Sequence, residues 1–458
     1  MCFFWNNTTN LSACAVITPD GQTLTYEQLF RKADEFSIGL KPNSLILIQA
    51  SNNLASLTAY LSCLRNGHIA MLISREISIA MKNNIVIRYS PDYVYSPNER
   101  GEYSLAYNEY KNRETNRFHP DLALLLSTSG STGSPKFVRL TRDNIHSNAS
   151  AIAKYLNLTN KDRAITNLPL FYSYGLSIIN SHLNSQGTIL LTEESITSPS
   201  FWFFFDAYKS TSLAGVPFTY EMLELIRFRD KKIPHLRYIT QAGGKLSPEI
   251  ILRYAQWAKE RNIDFFVMYG QTEATARMSY LPIELALQYP DSIGKPIPGG
   301  NFYILDEDNN IINTPEVSGE LIYTGENVCY GYAEDANDLA LGDNNNKTLY
   351  TGDIAKFDEN GLYYITGRKK RFLKIAGNRF ALDELESLFQ QNNIPAVCGG
   401  VDTKLIVAVT DDQYITPAAT FLKSTWKLQK SQYKIIVVKH IPRSETGKIL
   451  YAKLFEDK

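Results

Sequence analysis

Seven small polar residues in a row, Thr128-Ser129-Gly130-Ser131-Thr132-Gly133-Ser134, run into Pro135 and Lys136. Apolar runs at Leu122–Leu126 and Phe137–Leu140 flank them and read as short buried strands, so the loop is held at both ends. Taken alone, such a cluster is most often an ordinary turn. Its other reading is phosphate binding: glycines let backbone N–H groups close on an anion, hydroxyls donate further hydrogen bonds, and a lysine adds a point charge. In the phosphate loop of nucleoside triphosphatases the lysine directly follows the second glycine, whereas here Ser134 and Pro135 intervene, so this is not that loop.

Four further stretches carry groups of chemical interest. "YITQAGGKLSPE" (238–249) ends an apolar run on Gly243, Gly244 and Lys245, and "VMYGQTEAT" (267–275) ends another on Tyr269, Gly270, Thr272 and Glu273. A third, from Leu349 to Phe380, holds Asp353, Arg368, Lys370, Gly377 and Arg379, and "IPRSETGKI" places Lys448 after Gly447.

These residues must be positioned by the elements around them. Apolar runs at 44–50, 68–74, 163–170 and 187–192 read as buried strands, and "FWFFF" (201–205) as core. Helix-period segments alternate with the runs, one from Leu54 to Leu64 stopping at Gly67 and one through Ile145, Ala149, Ile152 and Leu156 capped by Thr141. That alternation predicts an α/β fold with doubly wound, mainly parallel sheets. After about residue 285, shorter strands with frequent turns predict an antiparallel or barrel-like subdomain, and from Lys370 onward the pattern becomes a small α+β unit. The expected division is residues 1–369, a large N-terminal domain, and residues 370–458, a small C-terminal one.

Composition narrows the class of partner. In 458 residues, 47 basic and 47 acidic side chains cancel, which removes the electrostatic signature of a nucleic-acid binder and any pull toward anionic membranes. No run approaches the ~20 apolar residues of a spanning helix, and "MCFFWNNTTNLS" lacks the basic and apolar regions of a signal peptide. The five cysteines are scattered, without paired spacing, so a reducing cytoplasm, no disulfide framework and no zinc site are expected. A small-molecule partner is favoured.

In this order and spacing, the five stretches resemble the AMP-forming adenylate enzymes, the superfamily of acyl-CoA synthetases, nonribosomal peptide adenylation domains and firefly luciferase. The resemblance extends from "TLTYEQL" (23–29) to "GKILYAKL" (447–454), and Thr128 to Lys136 match the family's Thr-Ser-Gly-(Ser/Thr)-Thr-Gly-x-Pro-Lys signature throughout. It implies ATP, Mg²⁺ and a phosphopantetheine thiol, on CoA or on a separate carrier protein, as cofactors and acceptor. By the resemblance, Thr128, Ser129, Gly130, Ser131 and Thr132 would wrap the β- and γ-phosphates, Gly133 and Lys136 would belong to the same ATP site, and Thr128 and Glu273 would stand near Mg²⁺. Tyr269 would lie on the adenine, with Gly243, Gly244 and Lys245 along its edge and Gly270 in the same turn. Thr272 would contact the α-phosphate, and Asp353 with Arg368 would take the ribose. Lys448 would bridge the substrate carboxylate and the α-phosphate. Lys370 would be the hinge of a mobile C-terminal domain, with Gly377 on the thiol's path.

The acyl pocket implied by the resemblance comprises Tyr172, Tyr174, Gly175, Val216, Pro217 and Ala274, with Tyr220 and Met278 nearby. Tyr172 stands where many acyl and aryl members have His and amino-acid-activating members have Asp, and no acidic residue occurs in "LPLFYSYGLS". An ammonium buried there without a counter-charge is costly, so a simple carboxylic acid is expected rather than an α-amino acid. Arg277 would either meet a second polar group on the substrate or face water. Phe137 replaces the Gly that commonly follows the loop lysine, a change of packing. The expected activity is that of a stand-alone AMP-forming acid–thiol ligase. Transfer to an amine, a luciferase-like oxygenase and a non-catalytic nucleotide-binding regulator are the alternatives.

Overall fold

The computed structural model describes residues 3–108, 118–127, 136–369, 371–375, 378–402, 404–444 and 447–455. The chain forms two compact units, Met1–Asn301 with Tyr323–Leu349, and Phe302–Ile322 with Tyr350–Lys458.

The first unit contains two large sheets. In one, the spatial order is Lys295–Pro296, Ser279–Tyr280, Asp264–Tyr269, Tyr238–Gln241, Ser212–Gly215, Arg163–Ile165, Thr188–Leu190, Cys14–Ile17 and Thr23–Thr25. The strands from Asp264–Tyr269 through Cys14–Ile17 pair in parallel, and only the flanking ones are antiparallel. The other sheet orders Tyr332–Ala333, Phe137–Thr141, Leu122–Ser127, Ile69–Ser74, Leu45–Ala50, Tyr93–Pro97 and Tyr103–Tyr107, again with a parallel centre. Leu45–Ala50 is buried at every position, the mark of a strand covered on both faces. Leu122–Ser127 and Phe137–Thr141 are antiparallel neighbours, so residues 128–135 connect adjacent strands.

Local signals place the helices between these strands. Asn53 accepts from the Ser56 N–H at 2.9 Å to open the helix Leu54–Asn66, which closes on Gly67 at φ +75°, a left-handed turn that favours glycine. Thr141 ends its strand and caps the helix Arg142–Tyr155 in a reciprocal box: Thr141 Oγ1 accepts from the Asn144 N–H at 3.1 Å and Asn144 Oδ1 from the Thr141 N–H at 2.9 Å. The Asn144 amide also donates to the carbonyls of Glu326 and Val328 at 2.7 and 2.9 Å.

Two expectations change in detail. The run 163–170 forms a strand only over Arg163–Ile165, and its continuation contains Pro169, which has no N–H to give a ladder. "FWFFF" lies in the helix Pro199–Ala207, whose period buries Phe201, Phe204 and Phe205 and leaves Phe203 77% exposed.

In the second unit, Thr348–Phe357 and Tyr363–Arg368 pair antiparallel and belong to a four-stranded sheet with Gly300–Leu305 and Gly319–Gly325. Beyond them come the hairpin Phe372–Ile375/Asn378–Ala381, the helix Leu382–Gln391, a sheet of Ala396–Val401, Lys404–Val409 and Tyr433–Val437, and the helix Ile415–Ser424. Leu385, Phe389, Val407 and Leu422 centre its core. Arg371 ties these elements together. It pairs with Asp383, with Glu386 at 2.6 Å and with the Cys398 carbonyl at 3.1 Å, and stacks on Tyr451. Among the described residues, no helix is long and apolar enough to cross a membrane.

The reciprocal cap is testable. Thr141→Val keeps the shape but removes the acceptor, and is expected to lower unfolding free energy by about 1 kcal/mol. Thr141→Ser should lose less, and urea denaturation that finds Val equal to wild type would remove the cap from the account.

Candidate functional site

In the nine-stranded sheet, Arg163–Ile165, Ser212–Gly215, Tyr238–Gln241 and Asp264–Tyr269 are parallel and release the chain at one edge. The carboxyl ends of an open parallel sheet are where ligands bind in such folds, because the diverging connections leave a crevice there. Tyr172, Tyr174 and Gly175 follow the first of these strands, Val216 and Pro217 the second, Gly243, Gly244 and Lys245 the third, and Gly270, Thr272, Glu273 and Ala274 the fourth.

These connections touch. Ser173 Oγ and Thr272 Oγ1 share a hydrogen bond of 3.1 Å, and Tyr174 Oη and Thr240 Oγ1 one of 2.8 Å. Two turns call for glycine, one because backbone approaches backbone and one because of a left-handed φ beside packed side chains. A Cβ on Gly270 would stand 1.8 Å from the Ala276 carbonyl oxygen, and one on Gly243, at φ +82°, would stand 2.5 Å from Tyr172 Oη and 3.0 Å from Val216. Gln241 Nε2 donates to the Gly244 carbonyl at 2.7 Å and fixes the turn, while Gly244 and Lys245 face outward. Tyr269 and Glu273 are half-buried, Pro217 likewise, and Ala274, Val216, Tyr172, Tyr174 and Gly175 are buried. Burial pushes the Tyr172 and Tyr174 hydroxyls up, so both stay protonated at neutral pH.

The short strand Tyr332–Ala333 brings two residues that sequence reasoning missed. It pairs with Phe137–Thr141 in the register Tyr332↔Val138, Ala333↔Phe137. Tyr332 Oη donates to Glu273 Oε1 at 2.5 Å, and the Glu334 carboxylate pairs with the Lys136 ammonium. Burial and the neighbouring carboxylate both raise the Tyr332 phenol, so Glu273 is oriented by a neutral group. Thr128, Ser129, Gly130, Ser131, Thr132, Gly133, Lys370 and Gly377 lie outside the described residues.

The second unit holds Asp353, Arg368 and Lys448. Asp353 and Arg368 face each other across antiparallel strands, with Arg368 Nε 3.1 Å from Asp353 Oδ1. The carboxylate is buried and the guanidinium largely exposed, so one end of the pair is fixed and the other reaches solvent. Lys448 follows Gly447 at φ +77°; its N–H donates to Ser444 Oγ at 3.2 Å, and its carbonyl accepts from the Ser444 N–H at 2.8 Å. The lysine backbone is thus held in a tight turn.

Arg277 does not face water. It is 2% exposed, with its carbonyl held by the Asn148 and Asn327 amides at 2.9 and 3.1 Å.

A parallel sheet whose carboxyl edge ends in glycine turns, with a metal-competent glutamate on one of them, is the arrangement of a nucleotide-binding α/β protein. The AMP-binding enzyme model matches residues 79–333, and the chain belongs to that family. It is 30% identical over 350 residues to the oxalate–CoA ligase of Saccharomyces cerevisiae, a match covering 72% of this chain and 62% of that protein's length. It is 25% identical over 396 residues to the 2-succinylbenzoate–CoA ligase of Oceanobacillus iheyensis, covering 82% and 80%. In fold it matches the O-succinylbenzoate coenzyme A synthetase of Bacillus subtilis in complex with AMP, with a TM-score of 0.79, 22% identity and coverage of 97% and 95%.

If Tyr332 orients Glu273, Tyr332→Phe should raise the Mg²⁺ concentration for half-maximal ATP–pyrophosphate exchange by about threefold to tenfold, the weight of one partly exposed hydrogen bond to a charged group. An unchanged Mg²⁺ dependence would assign the tyrosine to packing alone.

Proposed function

We propose that this protein is an AMP-forming ligase that joins a carboxylic acid to a phosphopantetheine thiol in two steps. A substrate carboxylate oxygen attacks the α-phosphorus of ATP, the bond to the β-phosphate oxygen breaks, and pyrophosphate leaves. The thiol sulfur then attacks the acyl carbon of the adenylate and expels AMP. The observation that carries the reading is the convergence, at one sheet edge, of the turns at Gly243–Lys245 and Tyr269–Glu273 in a chain of the AMP-binding enzyme family.

In this reading the Tyr269 face and the 243–245 turn take the adenine, Thr272 the α-phosphate, the 128–133 loop and Lys136 the outer phosphates, and the buried Asp353 carboxylate the ribose with Arg368. Lys136 exchanges its pairing with Glu334 for one with phosphate. Glu273 suits Mg²⁺ because it offers a hard carboxylate oxygen oriented by a neutral phenol. With Thr128 it would hold the ion, which neutralises charge on the departing pyrophosphate. Lys448 supplies a cation where two anions must meet, a contribution greatest in the transition state. Residues 370–458 act as the mobile domain, turning about Lys370, with Gly377 on the thiol's path.

The acid is a non-amino carboxylic acid, since the stretch 168–177 offers no carboxylate to an ammonium and Tyr172 and Tyr174 fill much of the space. The names of the two relatives, ligases of oxalate and 2-succinylbenzoate with CoA, support an acid substrate and CoA as acceptor. A separate carrier protein is the other acceptor compatible with the chemistry. ATP and CoA as substrates go with a cytoplasmic location.

Exchange of labelled pyrophosphate into ATP across a panel of aliphatic, hydroxy, aryl and amino acids tests the reading, and at least one non-amino acid should support it. Exchange confined to α-amino acids would defeat the argument from Tyr172. For the lysine, Lys448→Ala should lose adenylation by at least the ~10²–10³-fold typical of one electrostatic donor. Thioester formation from supplied acyl-adenylate should stay near the wild-type rate. Equal losses in both half-reactions, measured by rapid quench, would remove the separate role for Lys448.

A further inference from the structure

Arg277 is a buried cation with no anion paired to it among the described residues. Its Nη1 donates to Tyr155 Oη at 3.2 Å and contacts Met268 Sδ, both uncharged, while its Nε is buried without a hydrogen-bond partner. The guanidinium carbon lies 4.2 Å from the centre of the Tyr174 ring. No carboxylate among the described residues forms an ion pair with it; Asp162, on an adjoining strand connection, is already bound to Arg237 at 2.9 Å. His182, on the same side of the sheet, is held neutral by burial, with its pKa lowered to about 4, and shares a hydrogen bond of 3.0 Å with Tyr238 Oη. A buried charge left uncompensated is among the costliest arrangements in a folded protein, so its retention calls for an anion that arrives from outside.

The place is the acyl side of the proposed site. Arg277 lies just past the Thr272–Ala274 turn and lines a small cavity with Thr240, Tyr238, His182 and Ser181, with room for about one water-sized group. Tyr174 borders the cavity through two of the lining residues, its ring under the Arg277 guanidinium and its Oη bonded to Thr240 Oγ1 at 2.8 Å. We propose that Arg277 binds a second carboxylate of the substrate, and that the acid activated here is a short dicarboxylic acid. The planar guanidinium matches a carboxylate in a two-point bond, and its unpaired Nε supplies one of the two donors. A carboxylate reaches the guanidinium by rotation of the Tyr174 ring that now covers it at 4.2 Å, giving up the Tyr174–Thr240 hydrogen bond, and the short distance between that ring and the arginine keeps the linker between the two carboxylates short.

This inference rests on the adenylation reading, and one experiment separates them. ATP–pyrophosphate exchange is measured with succinate against butyrate and malonate against propionate, in wild type, Arg277→Leu and Arg277→Lys. The readout is the ratio of kcat/KM for diacid over monoacid, from which any general loss of activity cancels. Wild type should favour the diacids by about 10²-fold or more, since a site built around a polar group rejects the analogue lacking it. Arg277→Leu should bring the ratio to about one, Arg277→Lys should keep part of it, and Arg277→Leu should melt no lower than wild type, because an apolar side chain replaces an unpaired charge. A ratio unchanged in Arg277→Leu, or a large loss of stability in that variant, would make Arg277 structural. Exchange confined to monocarboxylic acids would overturn the diacid assignment and leave adenylation standing, whereas no exchange with any acid would overturn both.

Discussion

At the carboxyl edge of the nine-stranded sheet, backbone has to pass backbone with nothing in between. The turn after Asp264–Tyr269 can fold back only because Gly270 brings its Cα to where a side chain would collide with the Ala276 carbonyl. That fold-back sets Thr272 beside Ser173 and turns Glu273 toward the strand Tyr332–Ala333. The neighbouring turn needs Gly243 for a different reason, a left-handed φ of +82° with the Tyr172 and Val216 side chains packed against it. The proposed nucleotide site is thus a consequence of close approach: two glycine turns open a crevice, and the side chains flanking them are placed by it.

The proposed acyl side is shaped by the opposite condition. Where the glycines leave space, Tyr172 and Tyr174 take it up, and both phenols are buried and neutral. Behind them lies Arg277, whose backbone is pinned by two asparagine amides while its head group has no anion among the described residues. In the proposed reading, a crowded, mostly uncharged pocket with a cation at its floor would select small acids, and the charge would add a preference that size alone cannot supply.

Much of this was legible in the sequence, for identifiable reasons. The strands Leu45–Ala50 and Leu122–Ser127 were visible as apolar runs because both faces are covered, and Thr141 and Gly67 announced a helix start and stop through local hydrogen bonding and backbone sterics. The glycine turns were visible because motif spacing is local. What depends on long-range register was not. Tyr332 and Glu334 meet Glu273 and Lys136 only because a two-residue strand pairs with Phe137–Thr141 about two hundred residues away in sequence, at Tyr332↔Val138. The burial of Arg277 was equally hidden, since an arginine past a turn motif is ordinarily at the surface. Phe203 was misplaced because a run of aromatic residues carries no phase, and the helix that contains it turns one of them outward.

The central claim is that the turns after Tyr238–Gln241 and Asp264–Tyr269 are where the nucleotide sits. Amide hydrogen exchange of the whole protein, with and without AMP, tests it without reference to any acid or acceptor, because a ligand that takes up backbone N–H groups slows their exchange. The account predicts added protection in Ala242–Leu246 and Tyr269–Thr275. Protection elsewhere, with these two segments unchanged at saturating AMP, would contradict it.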